Sequence, residues 1–225
     1  GEDGARRRWQ FFLPLFGRDD PKLQQLAYLE LGRAPYDAIR KLGRLAPRNT
    51  YEPLLQDPKY LKWRSLAILL LAQSKDPVDQ RRVRDAFTLA TRLGMTTNLA
   101  AWTAALIELD GPAAVDSIEA AYCLNADPTS GEVAAMVEAL SMHGGVAKGV
   151  LQDRIVASYR PLLKAYPRFA PRVAADLVAW KRSELVAELS TCLALGQGFD
   201  IAEKRIIRQY LHAAPAPEEA TLVSD

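Results

Sequence analysis

With 225 residues and 24.9 kDa, the chain is long enough to bury a large core, and 49% hydrophobic residues exclude disorder over most of its length. Lys and Arg number 29 against 27 Asp and Glu, a formal net charge of +2, and this balance argues against a dedicated nucleic-acid binder. No window reaches the roughly 18 continuous apolar residues that a membrane-spanning helix needs.

The N-terminal segment 5–16 opens with Arg6, Arg7 and Arg8 and then turns apolar. Read as a helix, it places Trp9, Phe12, Leu13 and Phe16 on one face, with Pro14 as a kink and Gly17 as its end. Asp20-Pro21 starts the next helix, with Leu23, Leu26, Ala27 and Leu31 as its apolar positions. The same Asp-Pro step recurs at Asp57-Pro58, Asp76-Pro77 and Asp127-Pro128. Asp accepts the free N–H groups of a first turn, and Pro at the first helical position loses no bond, so each step is read as a helix start.

A short helix is expected over 36–45 with Ile39 and Leu42 inward, then a turn and a short helix over 46–57. Segment 58–74 is apolar nearly all round in its second half, so it is expected as one helix between neighbours. Helix 77–93 is amphipathic, with Val83, Ala86, Phe87 and Ala90 on one side, Asp79, Arg82 and Asp85 on the other, and Gly94 after it. Helix 97–109 carries Glu108 as its only charge and is also expected to be central. Helices over 112–124 and 130–143 turn Val115, Ile118, Tyr122, Val133, Met136, Val137 and Leu140 inward. Further helices follow over 150–165, with Pro161 inside, 171–181, 183–195 and 200–212. In the last, Ile206, Ile207, Tyr210 and Leu211 face in and Lys204, Arg205 and Arg208 face out. Residues 213–225 read as a flexible tail.

The expectation is an all-α chain of about eleven or twelve helices with short connections, packed as antiparallel hairpins at about 35–50 residues per pair. Residues 1–212 are taken as one domain. Segment 8–31 also aligns with 155–178: Phe12 meets Tyr159, Pro14 meets Pro161, Leu15 meets Leu162, Ala27 meets Ala174 and Leu31 meets Val178. A first helix with an interior Pro, followed by a small-residue second helix, resembles the HEAT-repeat unit. So does the stretch from Asp76-Pro77 through Val83-Arg84 to Ala86. The resemblance implies a right-handed αα-superhelix, a HEAT-like solenoid, whose successive second helices form a concave surface for a protein or peptide. The tetratricopeptide pattern, with its fixed 34-residue spacing, fits less well.

No catalytic constellation stands out, and no cofactor or metal site is expected. His143 and His212 lack neighbours at ligand spacing, and His143 is read as facing the terminal carbonyls of its helix. Cys123 and Cys192 read as buried free thiols, a bridge between them across 69 positions staying open, and neither stands at a helix start or in a Gly-flanked loop that would stabilise a thiolate. The loop 143–149, HGGVAKG, lacks the phosphate-cradle spacing and a preceding strand.

Three basic clusters are left as candidate partner contacts: Arg6, Arg7 and Arg8 with Trp9; Arg81, Arg82 and Arg84; and Lys204, Arg205 and Arg208. The plain alternative for each is a solvated helix face. The favoured function is a non-enzymatic scaffold or protein-interaction module, a subunit or accessory of a larger assembly. A HEAT-like nucleic-acid binder, a peripheral membrane protein anchored through 6–16, and a helical enzyme with unrecognised carboxylates are the competing readings. Abundant Ala, with Arg far in excess of Lys, is the composition of GC-rich bacterial coding. Compartment stays open. The chain begins with Gly1, so a processed protein or a fragment is expected.

Overall fold

The computed structural model describes residues 2–16, 18–124, 127–196 and 198–213. Among them there is no strand, and thirteen α-helices account for most of the chain. The helices are α1 (Glu2–Phe16), α2 (Pro21–Gly32), α3 (Tyr36–Gly43), α4 (Arg48–Gln56), α5 (Arg64–Leu71), α6 (Pro77–Arg92) and α7 (Leu99–Asp110). They continue as α8 (Pro112–Glu119), α9 (Ser130–Gly144), α10 (Val150–Ala165), α11 (Ala170–Trp180), α12 (Val186–Ala194) and α13 (Ile201–Ala213). The tail expected over 213–225 lies outside the described residues from 214 onward.

The chain divides into two compact units, Gly1–Ile155 and Val156–Asp225. In the first, α5 and α7 are central. Leu66, Ala67, Ile68, Leu69, Leu70 and Leu71 of α5 are all buried, and α7 packs against α5, α6, α8 and α9. The second is built around Tyr159, Leu162, Val173, Leu177, Leu189, Ile207 and Tyr210, each at most 1% exposed.

The Asp-Pro starts divide into two kinds. Asp20 accepts from the N–H groups of Lys22 and Leu23 at 2.9 and 3.2 Å, and Asp76 from that of Val78 at 2.8 Å, so both cap α-helices. Asp57 caps a 3₁₀ turn, Pro58–Trp63, and the single helix expected over 58–74 is split there. A 3₁₀ turn stacks side chains three apart. That places Tyr60 and Trp63, both buried, in a ring stack at 5.5 Å. At Asp127-Pro128 the cap moves to Thr129. Its hydroxyl accepts from the Glu132 N–H, and the Glu132 carboxylate accepts from the Thr129 N–H at 2.9 Å. Thr-Ser-Gly-Glu is a capping box, and two reciprocal bonds outweigh the single Asp cap.

Three further differences stand out. The helix expected over 112–124 is α8 followed by a π turn over Ala120–Leu124. Helix α2 buries Gln24, Ala27, Glu30 and Leu31, and it leaves Leu23 and Leu26 exposed. Fully buried Ala27 allows a close approach to α1, and Arg8 reaches Glu30 at 2.6 Å, so small size and an ion pair set the face rather than leucine content. Asp79, expected on the polar side, is 1% exposed. It accepts from the Ser74 hydroxyl at 2.7 Å and meets Arg48 Nη2 at 2.8 Å, which tethers α6 to α4.

Helices α3 and α5 touch at Gly43. A Cβ there would lie 2.5 Å from Gln73 Cγ and 3.4 Å from Leu70 Cα. Gly43→Ala is therefore expected to destabilise by about 1–2 kcal/mol in urea unfolding, despite alanine's better helix propensity. Gly32→Ala, with nothing within 4 Å of the new Cβ, is the control and should be neutral or stabilising. Equal midpoints for the two variants would rule out the close contact.

Candidate interaction surface

A groove of about 600 Å³ lies between α1 and α3. Arg6 and Trp9 stand one turn apart on α1 and so share its face. Ala38 and Leu42 of α3, with Leu45 just beyond it, recur at helical spacing and supply the apolar lining. Lys41 and Arg44 line the same groove. Asp37 is its one acid and is taken up by Lys41 at 2.5 Å, its partner at i+4. Among the described residues neither Arg6 nor Arg44 has an ion-pair partner. The groove thus combines free guanidinium charge with Trp9 and with Leu45, which is 61% exposed.

The other predicted contacts scatter. Arg7 is exposed on α1, and Arg8 is committed to Glu30. On α6, Arg82 pairs with Glu52 at 2.8 Å and Arg84 grips Asp110 in a fork at 2.6 and 3.0 Å, while Arg81 is exposed. Arg82 and Arg84 therefore tie α6 to α4 and α7. On α13, in the second unit, Arg205 and Arg208 are exposed and Lys204 is half-buried. Of the ten, Arg6 and Trp9 line this groove, beside the cations Lys41 and Arg44 and the apolar Ala38, Leu42 and Leu45. Lys41, Arg44 and Leu45 were not anticipated. Their signal is the alternation of cation and leucine in Arg40-Lys41-Leu42-Gly43-Arg44-Leu45.

Beneath α3 runs a buried polar chain. The Ala104 carbonyl lies 2.8 Å from His143 Nε2, and since a carbonyl only accepts, Nε2 carries the proton. The Tyr36 hydroxyl sits 3.2 Å from the same nitrogen and donates to Glu108 Oε2 at 3.2 Å. Arg40 Nε donates to Glu108 Oε1 at 3.0 Å. This corrects the expectation for His143: the ring turns inward to α7 and α3 rather than to its own helix end. Burial holds its pKa down at about 4, against weaker upward contributions from the Ala104 bond and Glu108. Burial, with Glu108 beside it, raises the Tyr36 hydroxyl well above its ordinary range.

Both cysteines are free thiols. Burial, with the Glu119 carboxylate nearby, pushes Cys123 up to about 11, and burial raises Cys192 as well, so both are thiols at neutral pH. Among the described residues no cluster of three or more His, Cys, Asp or Glu is arranged to hold a metal ion. No described helix is long and apolar enough to cross a membrane. No protein-family model, curated protein or solved structure matches this chain.

Proposed function

We propose that the chain is a non-enzymatic protein-interaction module, built of helical hairpins in the HEAT manner, that grips an acidic amphipathic segment of a partner through the α1–α3 groove. Arg6 and Arg44, without ion-pair partners among the described residues, carry this reading together with Trp9 and Leu45. Arginine and tryptophan are the side chains that concentrate binding energy at protein interfaces, and an apolar lining with cationic edges matches a helix bearing leucines and acids. The repeat organisation draws its support from the row α3, α5, α7 and α9, each in contact with the next. Paired-helix arrays display a surface along such a row.

The test is affinity capture from the source organism, with partners identified by mass spectrometry, using the native chain and Arg6→Glu/Arg44→Glu. Both side chains are exposed, so the double variant should fold. A stoichiometric protein partner should be retained by the native chain and bound about tenfold or more weakly by the variant. The competing outcome is a membrane surface, which Phe11 on α1, 66% exposed, would favour. Flotation with anionic vesicles that depends on Arg6, with no protein partner recovered, would replace the proposal.

A further inference from the structure

A second groove, on another side of α3, has the opposite electrostatic character. Two hollows of about 330 and 340 Å³ open over α5, α7 and α9, and both are lined by Ser65, Ala100, Ala101 and Glu138. They therefore meet as one trough. Its first half is walled by apolar side chains, Tyr28 and Met142 among them. In its second half stand Asn98, Gly131 and Ala134. Glu138 is the only charged residue lining either half. It is exposed and has no ion-pair partner among the described residues.

We infer that this trough binds an extended peptide segment of a partner, with a lysine or arginine of that segment seated against Glu138. Charge complementarity chooses the sign: the one carboxylate of the trough, with no cation in its lining, selects a cation and repels an acid. Asn98 favours an extended chain over a helix. Its side-chain oxygen accepts from the Ser65 hydroxyl at 2.7 Å, and its amide nitrogen has no acceptor among the described residues. A helix satisfies its own carbonyls and has none free along its length, whereas an extended strand offers them at every residue. Alanine and glycine along the trough let a main chain come close enough to use that donor. The hollow by Tyr28 and Met142 accepts an apolar side chain next to the cation.

The inference is independent of the α1–α3 groove, and its test separates the two. Random peptides displayed on phage are selected against the full chain carrying Arg6→Glu/Arg44→Glu, and the strongest is synthesised and titrated by fluorescence anisotropy against the native chain and its variants. The expected peptide carries an essential Lys or Arg. Its affinity should fall about tenfold or more in Glu138→Lys, and likewise in Ala134→Trp, which fills the trough from an exposed position. It should be unchanged in Arg6→Glu/Arg44→Glu. Circular dichroism confirms that each variant is folded. Selection of peptides without an essential Lys or Arg, of peptides indifferent to Glu138→Lys, or of no peptide at all overturns the inference.

Discussion

Acidification from pH 7 to pH 4 should destabilise the chain by about 3 kcal/mol through His143 alone. The imidazole is 2% exposed, and its pKa is about 4 in the fold against an ordinary 6.5 in the unfolded chain. The unfolded state therefore binds the proton first. Stability is intact above pH 6.5, falls as pH drops through the interval from 6.5 to 4, and levels off below it. Linkage gives a loss of about 2 kcal/mol at pH 5 and about 3 kcal/mol at pH 4. The added proton goes to Nδ1, whereas the Ala104 carbonyl and the Tyr36 hydroxyl both lie against Nε2. Carboxylates elsewhere also titrate on acidification, so the measurement is a difference. Urea unfolding of the native chain and of His143→Gln is followed at pH 7, 5 and 4. Glutamine can still donate to the Ala104 carbonyl and carries no titratable proton. The native chain should lose stability relative to the variant by these amounts, and parallel pH profiles would mean the ring is already protonated or hydrated in the fold.

Much of the architecture was legible because it is written locally. The caps at Asp20 and Asp76 and the helix end at Gly94, with φ of +62°, need only neighbouring residues. Elements failed to read where two local signals competed, as at Thr129 against Asp127, or where aromatic stacking overrode helix continuity, as at Tyr60 and Trp63. Burial was legible from apolar spacing at positions such as Val83, Phe87 and Leu140, but not where a distant ion pair supplied the partner. Asp79 and Glu30 are carboxylates that no periodicity would place inside, and each is buried because an arginine from another helix meets it. The candidate site shows the same divide. Arg6 and Trp9 announce themselves as a basic, aromatic start, but which arginines remain free depends on where acids fall in space. Arg82 and Arg84 look equally available in sequence and are consumed by Glu52 and Asp110, 30 and 26 positions away. Glu108 stood out as the lone charge of a central helix, while its partners Arg40 and Tyr36 lie 68 and 72 positions away.

Those partners make Glu108 a position whose replacement should be costly. Glu108→Ala is expected to destabilise by about 3 kcal/mol, since it leaves the buried Tyr36 hydroxyl without its acceptor and the partly buried Arg40 without its counter-charge. Arg40 is 30% exposed on its side chain, and partial hydration keeps the loss below the upper end for a fully buried pair. Glu108→Gln should lose roughly half as much, because an amide oxygen still accepts one bond although the charge is gone. The damage should be directional. Helix α3 supplies Ala38, Lys41 and Leu42 to one groove and Tyr36 and Ile39 to the other, and Glu108 bonds to it twice. Amide hydrogen exchange over 36–43 should therefore accelerate in Glu108→Ala, while the amides of α6, held to α4 by Asp79 and Arg82, stay protected. A loss under about 1 kcal/mol would reduce the Glu108 contacts to an ordinary surface ion pair and leave α3 to be positioned by apolar packing alone.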